Sequence, residues 1–85
     1  MIVYVYMKKE NLIEINPKIM HGEPVIVGTR IPIYAILDLI AAGYTFGDII
    51  KKAYPQLNIE QIRAAVEYAN AVIKNEEVLP LSTSK

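Results

Sequence analysis

Pro32, Pro55 and Pro80 fix where helices can start and stop in this chain. A proline has no N–H to give, so it opens a helix readily and ends one wherever it follows. Ile31, just before Pro32, is therefore expected to be extended. From Pro32 on, Ile33, Ile36, Leu37 and Ile40 recur at helical spacing. Tyr34, Leu39 and three alanines fill most of the remaining surface, and Asp38 is the only charge. A helix apolar nearly all round is buried on more than one side, here against its own core and a second chain. Gly43 suits the left-handed position just past the helix end. The second helix starts at Thr45, a good N-cap with Asp48 three residues on, and with Tyr44 and Ile49 at the staple positions. Phe46, Ile49, Ile50 and Ala53 form its apolar stripe, Lys51 and Lys52 sit off it, and Pro55 stops it. The third starts at Asn58 with Gln61 as box partner and Leu57 and Ile62 as staple. Ile59, Ile62, Val66, Ala69 and Ile73 give it a seam at 3-4-3-4 spacing that suits a core or another helix. Glu76-Glu77 and Pro80 mark its end.

The chain reads differently before Pro32. Residues 1 to 31 look extended, 32 to 75 helical, and 76 to 85 like a tail. Ile2 to Tyr6 is dense in β-branched and aromatic residues, and Leu12 to Ile15 is a second short candidate strand. Asn16-Pro17 breaks the chain. Pro24 to Pro32 reads as a short strand, a bend at Gly28, and an extended exit. The expected architecture is mainly α: a three-helix, helix-turn-helix domain preceded by short N-terminal β-strands. The single domain takes in residues 1–77, and residues 78–85 form a C-terminal tail. Turns of about two to four residues between helices force the sharp crossings of that geometry.

Eighty-five residues give room for one domain with a modest core. Small scaffolds usually add disulfides, a metal or oligomerisation. The chain has no Cys, and His21 is its single His, so neither a disulfide framework nor a thiolate or His-rich metal site is expected. Oligomerisation is the staple left, and the 53% hydrophobic content points to apolar surface at an interface. A homodimer is the expectation, with the strand at residues 1 to 6 pairing across it, because an isolated strand edge is a liability. Nine basic and nine acidic residues cancel. Dedicated nucleic-acid binders are usually basic, so strong binding by a monomer is disfavoured, whereas a dimer with two local basic patches would suffice. Met1 to Met7 is too short to span a bilayer and lacks a signal-peptide pattern. No membrane role and a cytoplasmic location are expected.

Residues 15 to 69 resemble the family called domain of unknown function 433. The resemblance rests on Asn16-Pro17, on His21 to Pro32 with its Gly28-Thr29-Arg30-Ile31-Pro32 core, on Leu39 to Thr45, on Tyr54-Pro55, and on the Ile62 to Ala69 helix. The chain departs from the family pattern at His21 to Glu23, where a small residue or Lys is more usual. The resemblance implies a homeodomain-like helix-turn-helix fold. It also implies a VapB-type antitoxin, often encoded beside a PIN-like ribonuclease toxin, that binds the toxin through one segment and its own operator DNA through another.

The candidate DNA contacts are Thr29, Arg30, Lys51, Lys52, Gln61 and Arg63. Arg30 offers a forked donor to phosphate or base, against the plainer role of pinning its loop. Lys51 and Lys52 suit phosphates, against an ordinary solvated helix face. Gln61 and Arg63 lie near the start of the third helix, the recognition helix in a homeodomain arrangement. Ala64, Glu67 and Tyr68 lie on or near the same side, and Glu67 would repel phosphate. A rival frame turns at Gly43 and makes residues 46 to 53 the recognition helix. Val3, Tyr4, Val5, Tyr6, Val78, Leu79 and Leu81 are the candidate partner or dimer contacts, with the last three as a toxin-docking peptide or a segment packed back on the third helix. His21 and Glu23 have no nucleophile or third group to form a catalytic constellation with. No catalytic residue, cofactor or metal is expected. The lead expectation is therefore a non-enzymatic, antitoxin-like regulator that binds operator DNA and neutralises a PIN-like toxin. The alternative is a protein-interaction module with no DNA role.

Overall fold

The computed structural model describes residues 12–74, together with the backbone of residues 4–6. Three short strands come first, β1 (Tyr4–Tyr6), β2 (Ile13–Ile15) and β3 (Val25–Ile26), followed by α1 (Ile33–Ala41), α2 (Phe46–Asp48) and α3 (Ile59–Ile73). The strands form one antiparallel sheet in the order β1-β2-β3. The domain is mainly α, with three helices and this small sheet on the N-terminal side, as expected.

The strand expected to pair across a dimer has one partner within its own chain. Tyr4, Val5 and Tyr6 pair with Ile15, Glu14 and Ile13 of the same chain. That pairing takes up one edge of β1, which is the outermost strand of the sheet.

β3 leads into a tight reversal. Ile26 N–H donates to the Ile31 carbonyl at 3.0 Å, and Val25 and Pro32 form an antiparallel bridge. The turn between them needs Gly28, whose φ is +82°, a conformation that costs other residues. Val27 N–H donates to Leu12 carbonyl at 2.9 Å, and Ile33 N–H to Pro24 carbonyl at 2.9 Å. The first turn of α1 is thereby anchored to the sheet.

Both helix starts read from the sequence are present. Thr45 and Asp48 exchange reciprocal bonds of 3.0 Å, Thr45 N–H to the carboxylate and Asp48 N–H to the hydroxyl. Asn58 and Gln61 do the same at 2.8 and 2.9 Å. Gly43, at φ +101°, ends α1 in the left-handed conformation.

Three features depart from expectation. Met20–Gly22 is a short 3-10 turn in which Met20 and His21 both take positive φ, 51° and 57°. The second helix runs as α only to Asp48 and continues as a π-helical turn over Ile49–Ala53, closed by Tyr54 N–H donating to Ile49 carbonyl at 2.7 Å. The buried face of α3 is Ile62, Ala65, Tyr68 and Ala71 rather than the 3-4-3-4 seam. Ile62 alone belongs to both sets; Val66 and Ala69 are half-buried, and Ile59 and Ile73 are 40% and 80% exposed. Small side chains at 65 and 71 let α3 lie close to its neighbours, and it packs against α1, α2 and β2. Tyr68, read as lying toward the polar side, is instead part of the core.

Five isoleucines fill the centre: Ile13 of β2, Ile26 of β3, Ile36 of α1, Ile49 of the π-helical turn and Ile62 of α3 are fully buried, as is Val25 of β3. Leu37, Leu39, Ile40, Tyr44, Phe46 and Ile50 pack partly buried around them.

Asn58→Ala removes the oxygen that accepts from Gln61 N–H, and costs about 1 kcal/mol. Thermal melting should show Tm lower by about 4–8 °C, while Asn58→Asp keeps most of the stability.

Candidate interaction surfaces

The residues expected to contact DNA fall into two groups, those already occupied within the fold and those that face solvent. Thr29 is occupied. Its hydroxyl donates to the Ile26 carbonyl at 2.7 Å and accepts from Ile31 N–H at 3.0 Å. Thr29 thus closes the turn after β3 and leaves little of its hydroxyl for a ligand. Gln61 is also occupied, since its side-chain oxygen accepts from Asn58 N–H in the capping box.

Arg30, Lys51, Lys52 and Arg63 are exposed. Arg30 follows Thr29 in the braced turn between β3 and α1, so a rigid support carries its side chain. Lys51 and Lys52 lie in the last turn of the second helix. Arg63 lies in α3 among Glu60, Glu67 and Asn70, all exposed. The partner contacts expected at Val3, Val78, Leu79 and Leu81 lie outside the described residues. Tyr4, Val5 and Tyr6 are placed by their backbone in β1.

The two helices differ in electrostatics. The one acid near Lys51 and Lys52 on the second helix is Asp48, which is committed to its cap. The Thr45 backbone N–H, donating to the carboxylate, holds its pKa below the usual aspartate range; the Thr45 hydroxyl, Lys52 and Lys51 add to this. In α3 the exposed acids Glu60 and Glu67 offset Arg63 and Lys74. Burial raises the Tyr68 hydroxyl pKa, and the negative charge of Glu23 raises it further. Glu23 therefore belongs to the electrostatic surroundings of the core tyrosine. Among the described residues no three His, Asp or Glu side chains gather as they would around a metal ion. Nor is any helix among them long and apolar enough to cross a membrane.

Exposed apolar side chains were not singled out as such from the sequence. Ile59, Val72 and Ile73 on α3, Tyr34 on α1 and Val27 in the β3 turn all face solvent. Their signal was the surplus of apolar residues on α3, more than a single core-facing stripe can hold.

These observations define a small, mainly helical domain whose exposed groups are suited to binding. A family model described as a protein of unknown function (DUF433) matches residues 13–69, and the chain belongs to that family. It is similar to the uncharacterized protein y4eO of Sinorhizobium fredii (strain NBRC 101917 / NGR234), 41% identical over 56 residues. That match covers 66% of this chain but 25% of the relative. The crystal structure of a DUF433 member protein from Anabaena variabilis ATCC 29413 superposes with a TM-score of 0.70 at 27% identity, covering 78% of this chain and 64% of the other. The chain thus spans a quarter of the curated relative and under two thirds of the solved one.

Two predictions follow from the occupied groups. Thr29→Val should cost about 1–3 kcal/mol, because it strands the Ile31 N–H; chemical denaturation checks this, and Thr29→Ser should retain the stability. Because the folded pKa of Asp48 is depressed, its contribution is complete above the ordinary aspartate range. It is lost as pH falls through the lower folded value. An NMR titration should place the Asp48 midpoint below that range, and Asp48→Asn should remove that part of the acid dependence of stability.

Proposed function

We propose that this protein is an antitoxin-like regulator that binds operator DNA and neutralises a PIN-like ribonuclease toxin. The observation that carries the DNA arm is the charge difference between the two exposed helix surfaces. Lys51 and Lys52 lie near one acid, and that acid is held in the Thr45 capping box. The exposed surface of α3 carries Glu60 and Glu67, which repel phosphate. The charges favour the frame that turns at Gly43 and presents residues 46 to 53, with Arg30 as a further cation. Arg63 is the one exposed cation of α3 among the expected DNA contacts, and Gln61 serves its cap. The toxin-binding arm rests on the VapB-type likeness read from the sequence, with Val78, Leu79 and Leu81 as the apolar segment assigned to it. The cytoplasm, where operator and toxin are found, is the location that goes with this reading.

A second reading, a protein-interaction module with no DNA role, has its own support. The net charge is zero, and Ile59 and Ile73 are exposed apolar side chains of a kind found at protein interfaces.

A fluorescence-anisotropy titration against the duplex upstream of the gene, with a scrambled duplex beside it, separates the two. The first reading predicts binding to the native duplex that weakens steeply with salt. Each of Lys51→Gln and Lys52→Gln should lower the slope of log affinity against log salt by about 1. Equal weak binding to both duplexes would leave the interaction module.

A further inference from the structure

The exposed apolar residues of α3 form a pattern that matches itself when reversed. Ile59 and Ile73 each stand seven residues from Val66. Seven residues advance an α-helix to within about 20° of whole turns. The three side chains therefore run along one line, the outer two about 10 Å either side of Val66. Ile59 is 40% exposed, Ile73 is 80% exposed and Val66 is half-buried. Among the described residues no element covers the two ends of this line, because α3 turns Ile62, Ala65, Tyr68 and Ala71 toward the core instead.

We propose that a second copy of this chain docks on this line, the two α3 helices running antiparallel about a two-fold axis at Val66. In that arrangement Val66 meets Val66, and Ile59 of each copy meets Ile73 of the other. The charges beside the line select the same direction. Glu60 comes level with Lys74 of the second copy, and Arg63 with Glu67 of the second copy, each to within two residues, or about 3 Å along the axis. The two-fold axis doubles each pair, so all four exposed charges of α3 face an opposite sign. In a parallel pairing the two-fold axis runs along the helices and carries the second copy's charges to the opposite flank of the seam, so none of these pairs forms. The surface is isologous, as a closed dimer requires. It leaves Arg30, Lys51 and Lys52 outside the contact line and does not depend on the DNA-binding reading.

Charge reversal tests both the surface and its direction. Arg63→Glu makes this part of the contact all acidic, and Glu67→Arg makes it all basic. Both positions are exposed, so circular dichroism melts should show folded proteins. By sedimentation equilibrium of the full chain, the unaltered protein should be a concentration-dependent dimer. Each variant alone should have a dissociation constant raised by about tenfold or more, equivalent to about 1.4 kcal/mol. An equimolar mixture of the two should regain the original affinity, because each acidic position then faces a basic one. Restored pairing within one helix cannot produce that recovery, since neither chain in the mixture carries both changes. An unaltered chain that stays monomeric at millimolar concentration, a dimer that neither variant weakens, or a mixture no tighter than its components would each overturn the proposal.

Discussion

Ile13, Ile26, Ile36, Ile49 and Ile62 meet in a single fully buried cluster that joins β2, β3, α1, the π-helical turn and α3. Each residue is the anchor by which its element reaches the others, and none has a second core to fall back on. In a chain this short, that shared contact is where most of the hydrophobic stabilisation is concentrated. The geometry elsewhere serves it. The β3 turn, with Gly28 at positive φ and the Thr29 hydroxyl bridging Ile26 and Ile31, brings Ile26 and Ile36 onto the same side. The capping boxes at Thr45 and Asn58 start their helices at the positions that bring Ile49 and Ile62 inward.

The functional surface is what that cluster leaves over. Once α3 has turned Ile62, Ala65, Tyr68 and Ala71 inward, Ile59 and Ile73 are left exposed among the described residues. Once Asp48 is tied to Thr45, the end of the second helix presents Lys51 and Lys52 beside an acid already in use. The two surfaces differ in chemistry, one basic and the other apolar with balanced charge. The proposed DNA contacts lie on the first surface and the proposed contact between copies on the second.

Features set by contacts a few residues apart were legible in the sequence. The helix starts depend on side chains three residues from the amides they satisfy, so the Thr45-Asp48 and Asn58-Gln61 patterns were sufficient. Gly28 and Gly43 marked positions where only backbone freedom matters. Features decided by packing were not legible. Apolar spacing alone could not choose between the Ile59-Val66-Ile73 line and the Ala65-Tyr68-Ala71 line on α3, because alanine and tyrosine suit either environment. The positive φ of Met20 carries no residue signal, and that of His21 only a weak one, histidine being among the few non-glycine types enriched in that conformation. The π-helical turn after Asp48 was equally silent, its residues having ordinary helix propensity. Among the candidate site residues, Arg30, Lys51, Lys52 and Arg63 are exposed, while the internal bonds of Thr29 and Gln61 came to light only in the fold.

The division of surfaces is the central claim, and amide shift mapping by two-dimensional NMR tests it most directly. Titration with the upstream duplex should move the amides around Arg30, Lys51 and Lys52 and leave those of Arg63 and Asn70 in place. Shifts clustered instead along Ile59, Arg63, Val66 and Asn70 would put α3 against the DNA and contradict the account.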